Sequence, residues 1–273
     1  MKVKQTLSSV LAGSAAVAVA AFGGAGLANA DGYERQARVA YESPTNWSGF
    51  YFGVHSGWQW SQNDAFFPDG NPALTIVGVA GQGFDTRHNA PIYGGQIGIQ
   101  HQFGGIVLGL EATASSAFQN NPGSALCPKQ TIALFNCTGR FDDVATIGGR
   151  LGWAMGKFMP YFTAGVASGG FSHEARNLSL APGAATIVRW EKGRDEGWYF
   201  GGGVDWQVAG GWTVGVDYRH YDFGSVDIPA TAIVGGVWGG LPNDNASFRD
   251  TVDTVTLRVS WKFGRPDCCA PLK

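Results

Sequence analysis

The chain of 273 residues is short of charge, of cysteine and of long apolar runs, and each shortage removes a class of protein. Only 15% of residues are charged and the formal net charge is −2, so the basic surplus of a nucleic-acid-binding face is missing. Four cysteines occur without a C-x-x-C spacing. Five histidines (His55, His88, His101, His173 and His220) are scattered, with no H-E-x-x-H among them. No metal site, cofactor or catalytic residue is expected from such spacing. Past residue 30, the longest stretch free of Asp, Glu, Lys and Arg is 88–110, where Gln96, Gln100, His101 and Gln102 interrupt the apolar residues among six glycines. Glycine is a poor helix former, so no membrane helix is expected and any membrane span must be a strand.

Glycine and aromatics are abundant instead. The 42 glycines are roughly twice the ~7% average share, yet they lack the G-X-Y period of collagen. Aromatics at 13% supply enough apolar surface to exclude disorder. Residues 1–30 read as an address: Lys2 and Lys4, an alanine-rich apolar stretch over 10–27, then Ala28-Asn29-Ala30. These are the charged, apolar and cleavage regions of an export signal. The mature chain is expected to begin at Asp31, which is no cysteine and so indicates no lipid anchor.

From Trp47 onward the sequence repeats runs of about a dozen residues that alternate apolar with small or polar, the period of a half-buried strand. They cover residues 49–60, 91–103, 106–118, 141–155, 158–171, 198–208, 212–223 and 251–263. Phe50, Phe52, Val54, Trp58 and Trp60 share one parity of the first run, and Tyr51, Gly53, His55, Gly57 and Gln59 the other. Gly104-Gly105, Gly156-Lys157 and Ala209-Gly210-Gly211 are tight hairpin turns, while 61–90, 119–140, 172–195 and 224–250 are long connections. Short and long alternate strictly, which puts all turns at one end and all loops at the other. The fold class expected is all-β, an eight-stranded antiparallel up-and-down barrel.

Two orientations compete. A soluble barrel would turn its apolar parity inward, but its outer parity should then carry many Lys and Glu, and this one carries Gly, Gln, Tyr, Thr and a few charges of both signs. The reverse, apolar side to lipid, fits better with the aromatics. Phe50, Phe103, Trp153, Phe162, Trp206, Trp212, Trp261 and Phe263 fall near the short turns, and Trp58, Trp60, Tyr93, Trp198 and Tyr218 near the long loops. A bilayer favours two such girdles. The charges Glu111, Arg150, Asp205, Asp217, Arg219 and Arg258 then lie inside. Glu111 is expected to pair with Arg150, and Asp217 with Arg219 and Arg258. A one-residue slip would aim Arg150 at lipid at a cost of about 2–4 kcal/mol. Side chains fill an eight-stranded interior, so a plugged barrel is expected rather than an ion-selective channel.

Smaller features follow. Cys127 and Cys137 share one outer loop in an oxidising compartment, so a disulfide is expected, with two free thiols as the alternative. Cys268 and Cys269 are adjacent in the tail, where pairing with another chain or reduction is expected. Gly201-Gly202-Gly203 lies in a strand with no helix behind it. It is therefore no phosphate loop, and gives neighbouring side chains room to approach. His220, with Asp222 and Ser225, is the one cluster near the outer rim that a lipid-modifying enzyme could use; a polar rim at headgroup depth is the simpler reading.

Trp47-Ser48-Gly49-Phe50-Tyr51-Phe52-Gly53, Gly94-Gly95-Gln96-Ile97-Gly98 and Leu108-Gly109-Leu110-Glu111-Ala112 resemble the outer-membrane immunogenic proteins of alphaproteobacteria, a "porin family" of small barrels. So do Gly149-Arg150-Leu151-Gly152-Trp153, Pro160-Tyr161-Phe162-Thr163-Ala164-Gly165 and residues 252–263. The resemblance runs in order from about Trp47 to Phe263. It implies an abundant barrel of the outer membrane with roles in envelope integrity and host contact, whose last strand the barrel-insertion machinery reads. Residues 264–273 depart from the pattern by continuing past the terminal aromatic, and the long loops match nothing in the family. The expected organisation is a signal peptide (1–30), a periplasmic lead (31–46), the barrel (47–263) and a periplasmic tail (264–273). The expected partners are membrane lipids and lipopolysaccharide, with no nucleic acid. A narrow solute pore and a surface adhesin gripping a host or surface ligand with its outer loops stand as alternatives.

Overall fold

A computed structural model describes residues 45–68, 80–118, 122–128, 135–178, 187–190, 193–234 and 237–263. The export signal, nearly all of the lead segment and the tail with Cys268 and Cys269 lie outside the described residues. Ten strands follow in order: β1 (Gly49–Phe66), β2 (Gly83–Phe103), β3 (Ile106–Ala117), β4 (Gly123–Leu126), β5 (Phe135–Trp153), β6 (Phe158–Asn177), β7 (Ile187–Trp190), β8 (Asp195–Ala209), β9 (Trp212–Val234) and β10 (Val237–Phe263). Eight of them close an antiparallel ring in the order β1-β2-β3-β5-β6-β8-β9-β10. Pairing of β10 with β1, from Phe50↔Phe263 to Phe66↔Ser247, seals it. Among the described residues, the eight strands of the ring each pair on both sides, so the ring itself leaves no open edge. The short turns fall where glycine takes a left-handed backbone, at Gly104, Gly156, Gly210 and Gly211.

Much of what reads as long loop in the sequence is strand, and this corrects the expectation. β1 runs on to Phe66, β2 begins at Gly83, and β9 and β10 carry the last connection to Val234 and from Val237. The two short strands extend the wall further. β3 stops at Ala117, and β4 then pairs with β5 (Gly123↔Gly139 to Leu126↔Asn136), with Gly123 against the Arg87 backbone of β2. β8 begins only at Asp195, and β7 fills the gap above it between β6 and β9. The wall therefore gains an outer storey beyond the ends of β3 and β8.

Side chains alternate in and out along every strand. In the lower storey the outward positions are apolar: Val54, Ile97, Leu110, Ile147, Phe162, Val204 and Leu257 are all exposed. Among the register shifts along the wall, those on β5 and β9 reset the alternation on the way up. One residue is extra on β5 between Phe141 and Asp143, and one on β9 between Asp222 and Ser225. The second contains Gly224 at φ +66°, a left-handed conformation that suits glycine and bends the strand. Buried apolar residues form three clusters: Trp47, Val107 and Met159 at the short-turn end; an aromatic layer with Phe141, Phe171, Tyr199, Tyr221 and Phe223 midway; and Phe67, Phe135, Trp190, Ile228 and Phe248 in the outer storey.

Candidate functional site

Between the short-turn cluster and the aromatic layer the interior is ionic. Three guanidiniums, Arg150 on β5, Arg219 on β9 and Arg258 on β10, meet three carboxylates, Glu111 on β3, Asp205 on β8 and Asp217 on β9, and all six are buried. Glu111 is the hub. Its Oε1 accepts from Arg219 Nη2 at 2.6 Å and Arg258 Nη1 at 3.1 Å, while its Oε2 accepts from Tyr51 OH at 2.7 Å and from Arg258 Nη2. Asp217 accepts from Arg219 Nε at 2.8 Å, Tyr161 OH at 2.6 Å and Arg258 Nη1 at 3.3 Å. Equal numbers of opposite charges, with Glu111, Asp217, Arg219 and Arg258 each in several hydrogen bonds, offset the desolvation that an isolated buried ion would suffer.

The expected couple of Glu111 with Arg150 needs correcting in detail. The two approach only to 3.9 Å, and Arg150 gives its Nη2 to Asp205 instead. Register explains this: on the β3–β5 pair Arg150 faces Gly109 and Glu111 faces Gly148, so Glu111 sits two residues nearer the outer end, where Arg219 and Arg258 reach it. Asp217, Arg219 and Arg258 do form one group, as the sequence suggests, but Glu111 joins it.

Sequence reasoning missed the tyrosines. Tyr51 and Tyr161 lie at inward positions, where a phenol must find a partner, and both hydrogen-bond into the network; the Arg150 guanidinium also stacks 3.6 Å from the Tyr161 ring centre. Glycine makes the room: a methyl at Gly98 would strike the Tyr51 ring, and one at Gly203 the Tyr161 ring. The signal was available, since inward glycines alternate with long inward side chains along these strands.

Other polar groups continue the column. His55 holds Gln96 Oε1 at 2.6 Å and Ser115 Oγ at 2.8 Å. Above it lies a cavity of about 10 Å³ lined in part by His55, Thr113 and Arg219, about the room one water molecule needs. Higher still, Asp250 accepts from Asn63 Nδ2 at 2.5 Å and lies 3.3 Å from His173 Nε2. At the bottom, Trp47 turns into the barrel mouth. Its indole donates to Gly156 O at 3.2 Å, and its carbonyl accepts from Gln100 Nε2 at 2.7 Å.

The girdle residues Trp58, Trp60, Tyr93, Trp153, Trp198, Trp206, Trp212, Trp261 and Phe263 are all exposed on the outer wall. Cys127 and Cys137 are bonded to each other. The His220, Asp222 and Ser225 cluster is not assembled: His220 Nδ1 lies 2.8 Å from Asp253, while Asp222 accepts from Arg249 and the Gly224 amide. Among the described residues no group of three or more His, Cys, Asp or Glu is placed to hold a metal ion.

An eight-stranded ring that is apolar outside, ionic inside, and belted by aromatics defines an integral barrel of the cell outer membrane. The chain belongs to the family described as "Outer membrane protein beta-barrel domain", which matches residues 9–263. It is 25% identical over 229 residues to the 31 kDa outer-membrane immunogenic proteins of Brucella melitensis biotype 1 and Brucella suis biovar 1, covering 80% of this chain and 83% of each relative. Among solved structures, the outer membrane protease OmpT from Escherichia coli aligns at a TM-score of 0.43 and 11% identity, over 81% of this chain and 99% of that one. Neisserial surface protein A aligns at 0.33 and 13% identity, over 79% and 98%.

Proposed function

We propose that this protein is a closed, non-catalytic barrel that braces the outer membrane and holds a rigid platform at the cell surface. One observation supports the reading: described side chains are packed at successive levels of the interior. Trp47, Val107 and Met159 fill the periplasmic mouth, the six-membered ion network and its tyrosines fill the next level, an aromatic layer covers that, and Phe67, Trp190 and Phe248 fill the outer storey. An ion crossing this path would have to break several charge-assisted hydrogen bonds in series and enter two apolar layers. The Brucella relatives are named as immunogenic outer-membrane proteins, which supports a surface that faces a host. Membrane lipids, lipopolysaccharide and the insertion machinery are the partners this role requires.

Planar-bilayer recording of the purified full chain tests closure. No reproducible unitary steps are expected from the wild type. Stable steps of uniform size would establish the narrow-pore reading in its place.

A further inference from the structure

Among the described residues, every cation on the outer wall of the outer storey is an arginine. Three of them stand on consecutive strands: Arg140 on β5, Arg176 on β6 and Arg189 on β7. The outward positions around them on β5 and β6 are polar throughout, with Asn136 opposite Arg176, Thr138 opposite Glu174 and Arg140 opposite Ser172. On the other side of β6, Arg189 faces Glu174.

Charge does not balance in this cluster. Arg176 Nε and Arg189 Nε approach Glu174 at 2.5 and 3.0 Å, one at each carboxylate oxygen. Arg140 Nε lies 2.7 Å from Asp142. Three guanidiniums thus share two carboxylates, and the surplus positive charge falls on the pair that divides Glu174 between them. Arg176 engages only through Nε, its Nη groups meet no acceptor among the described residues, and its side chain is 65% exposed. A planar guanidinium fork of this kind matches the oxygens of a phosphate.

Height narrows the choice of anion. The aromatic belt crosses β6 near Val166, which faces Trp198. Glu174 stands about 20 Å beyond it, at roughly 3.3 Å per residue and a tilt of roughly 40°.

We propose that this cluster binds the phosphorylated sugar core of lipopolysaccharide, with a core phosphate bridging Arg176 and Arg189 and a sugar hydroxyl on Asn136. The surplus charge calls for an anion, and the phosphates of lipid A, close to the belt, lie too low to reach it. A protein partner would need apolar or aromatic anchors at the centre of its contact, and the outward positions of β5 and β6 here supply none. The proposal rests on lipopolysaccharide being a partner of the brace and assigns that contact to one cluster.

Thermophoresis of the labelled full chain in detergent tests it, with a chelator present so that no divalent cation bridges phosphate to Glu174. The probes are lipopolysaccharide with a phosphorylated core and lipid A of the same acylation. The wild type should bind the first about tenfold more tightly. Arg176→Gln combined with Arg189→Gln should bring the two affinities together. Arg87→Gln combined with Arg249→Gln removes as much charge from exposed arginines elsewhere on the outer wall, and should leave the tenfold preference in place. A heat-dependent gel shift confirms that each variant is folded. Equal affinity of the wild type for the two glycolipids overturns the proposal alone. So does a preference that survives the first double variant, or one that both double variants abolish. Binding of neither glycolipid would overturn the lipopolysaccharide contact of the brace as well.

Discussion

The two storeys of this barrel are built from the same strands and obey opposite rules. Along β1, Phe52, Val54 and Trp58 face out and Tyr51, His55 and Gln59 face in; a few residues higher Gln62 and Asp64 face out while Ala65 and Phe67 are buried. β6 repeats the switch, with Phe162 and Val166 outward below and Glu174 and Arg176 outward above, the latter two side by side in an ion pair. Trp58, Trp60, Tyr93 and Trp198 mark the plane where it happens. What changes there is the solvent. Hydrocarbon cannot satisfy a charge, so below the plane ionic groups retreat inside and must satisfy one another. Above it water can do so, and the ordinary hydrophobic effect builds an apolar centre.

The comparison breaks most severely at Glu111. Glu111→Ala leaves Arg219 and Arg258 buried with one carboxylate fewer, and breaking a buried pair in this way costs about 3–5 kcal/mol. Urea unfolding of protein inserted in lipid vesicles, followed by tryptophan fluorescence, reads this directly. A loss under about 1 kcal/mol would show that water reaches the network freely.

Leu110 is the next residue of β3 and faces the opposite way. Leu110→Arg should destabilise by about 2–4 kcal/mol, the penalty for a cation on the lipid face near the midplane. The same titration in vesicles of thinner lipid should reduce the loss, because the guanidinium then lies closer to headgroups. An unchanged midpoint would place this face in water.

How much of this was legible in the sequence follows from the same division. Below the belt, strict alternation and the sorting of Trp58, Trp198, Trp212 and Trp261 to the rims made strand, orientation and interior charges readable. Above it both parities of β1 are polar from Ser61 to Asp64 before the inward side turns apolar at Ala65, so this stretch reads as loop. Bulges at Phe141–Asp143 and at Gly224 shift the parity, which hid the outer parts of β5 and β9. The two short strands could not be read at all, because four residues carry no period. Membership of the ionic site was readable from parity, but its pairing was not: shear decides that Arg150 meets Asp205, and shear is a property of the closed ring.

A third change separates the storeys. The Cys127–Cys137 bond closes a ten-residue separation beside β4, which in chain-entropy terms stabilises by at most about 3 kcal/mol. Replacing both cysteines by serine should loosen the outer storey and leave the lower barrel intact. Limited proteolysis should then find new cleavage sites between residues 118 and 140, while the heat-dependent gel shift persists. Loss of that shift would mean that the two storeys fold as one unit.

The smallest effect is the most instructive, because it repeats one contact in two solvents. Arg219 Nη2 lies 2.6 Å from Glu111 inside the barrel, and Arg176 Nε lies 2.5 Å from Glu174 on the outer wall, where the Arg176 side chain is 65% exposed. Glu174 also accepts from Arg189 at 3.0 Å. Distance alone would rank the two contacts as equals. Water and salt screen the outer pair and hydrate either partner left alone, so Arg176→Gln should cost less than about 1 kcal/mol. Raising ionic strength should erase what remains, since the Debye length falls from about 10 Å at 0.1 M to about 3 Å at 1 M. Arg219→Gln should stay costly at both salt concentrations. Urea titrations of the two variants at low and high salt make the test, and equal losses for both would mean that geometry, rather than the medium, sets the strength of these ion pairs.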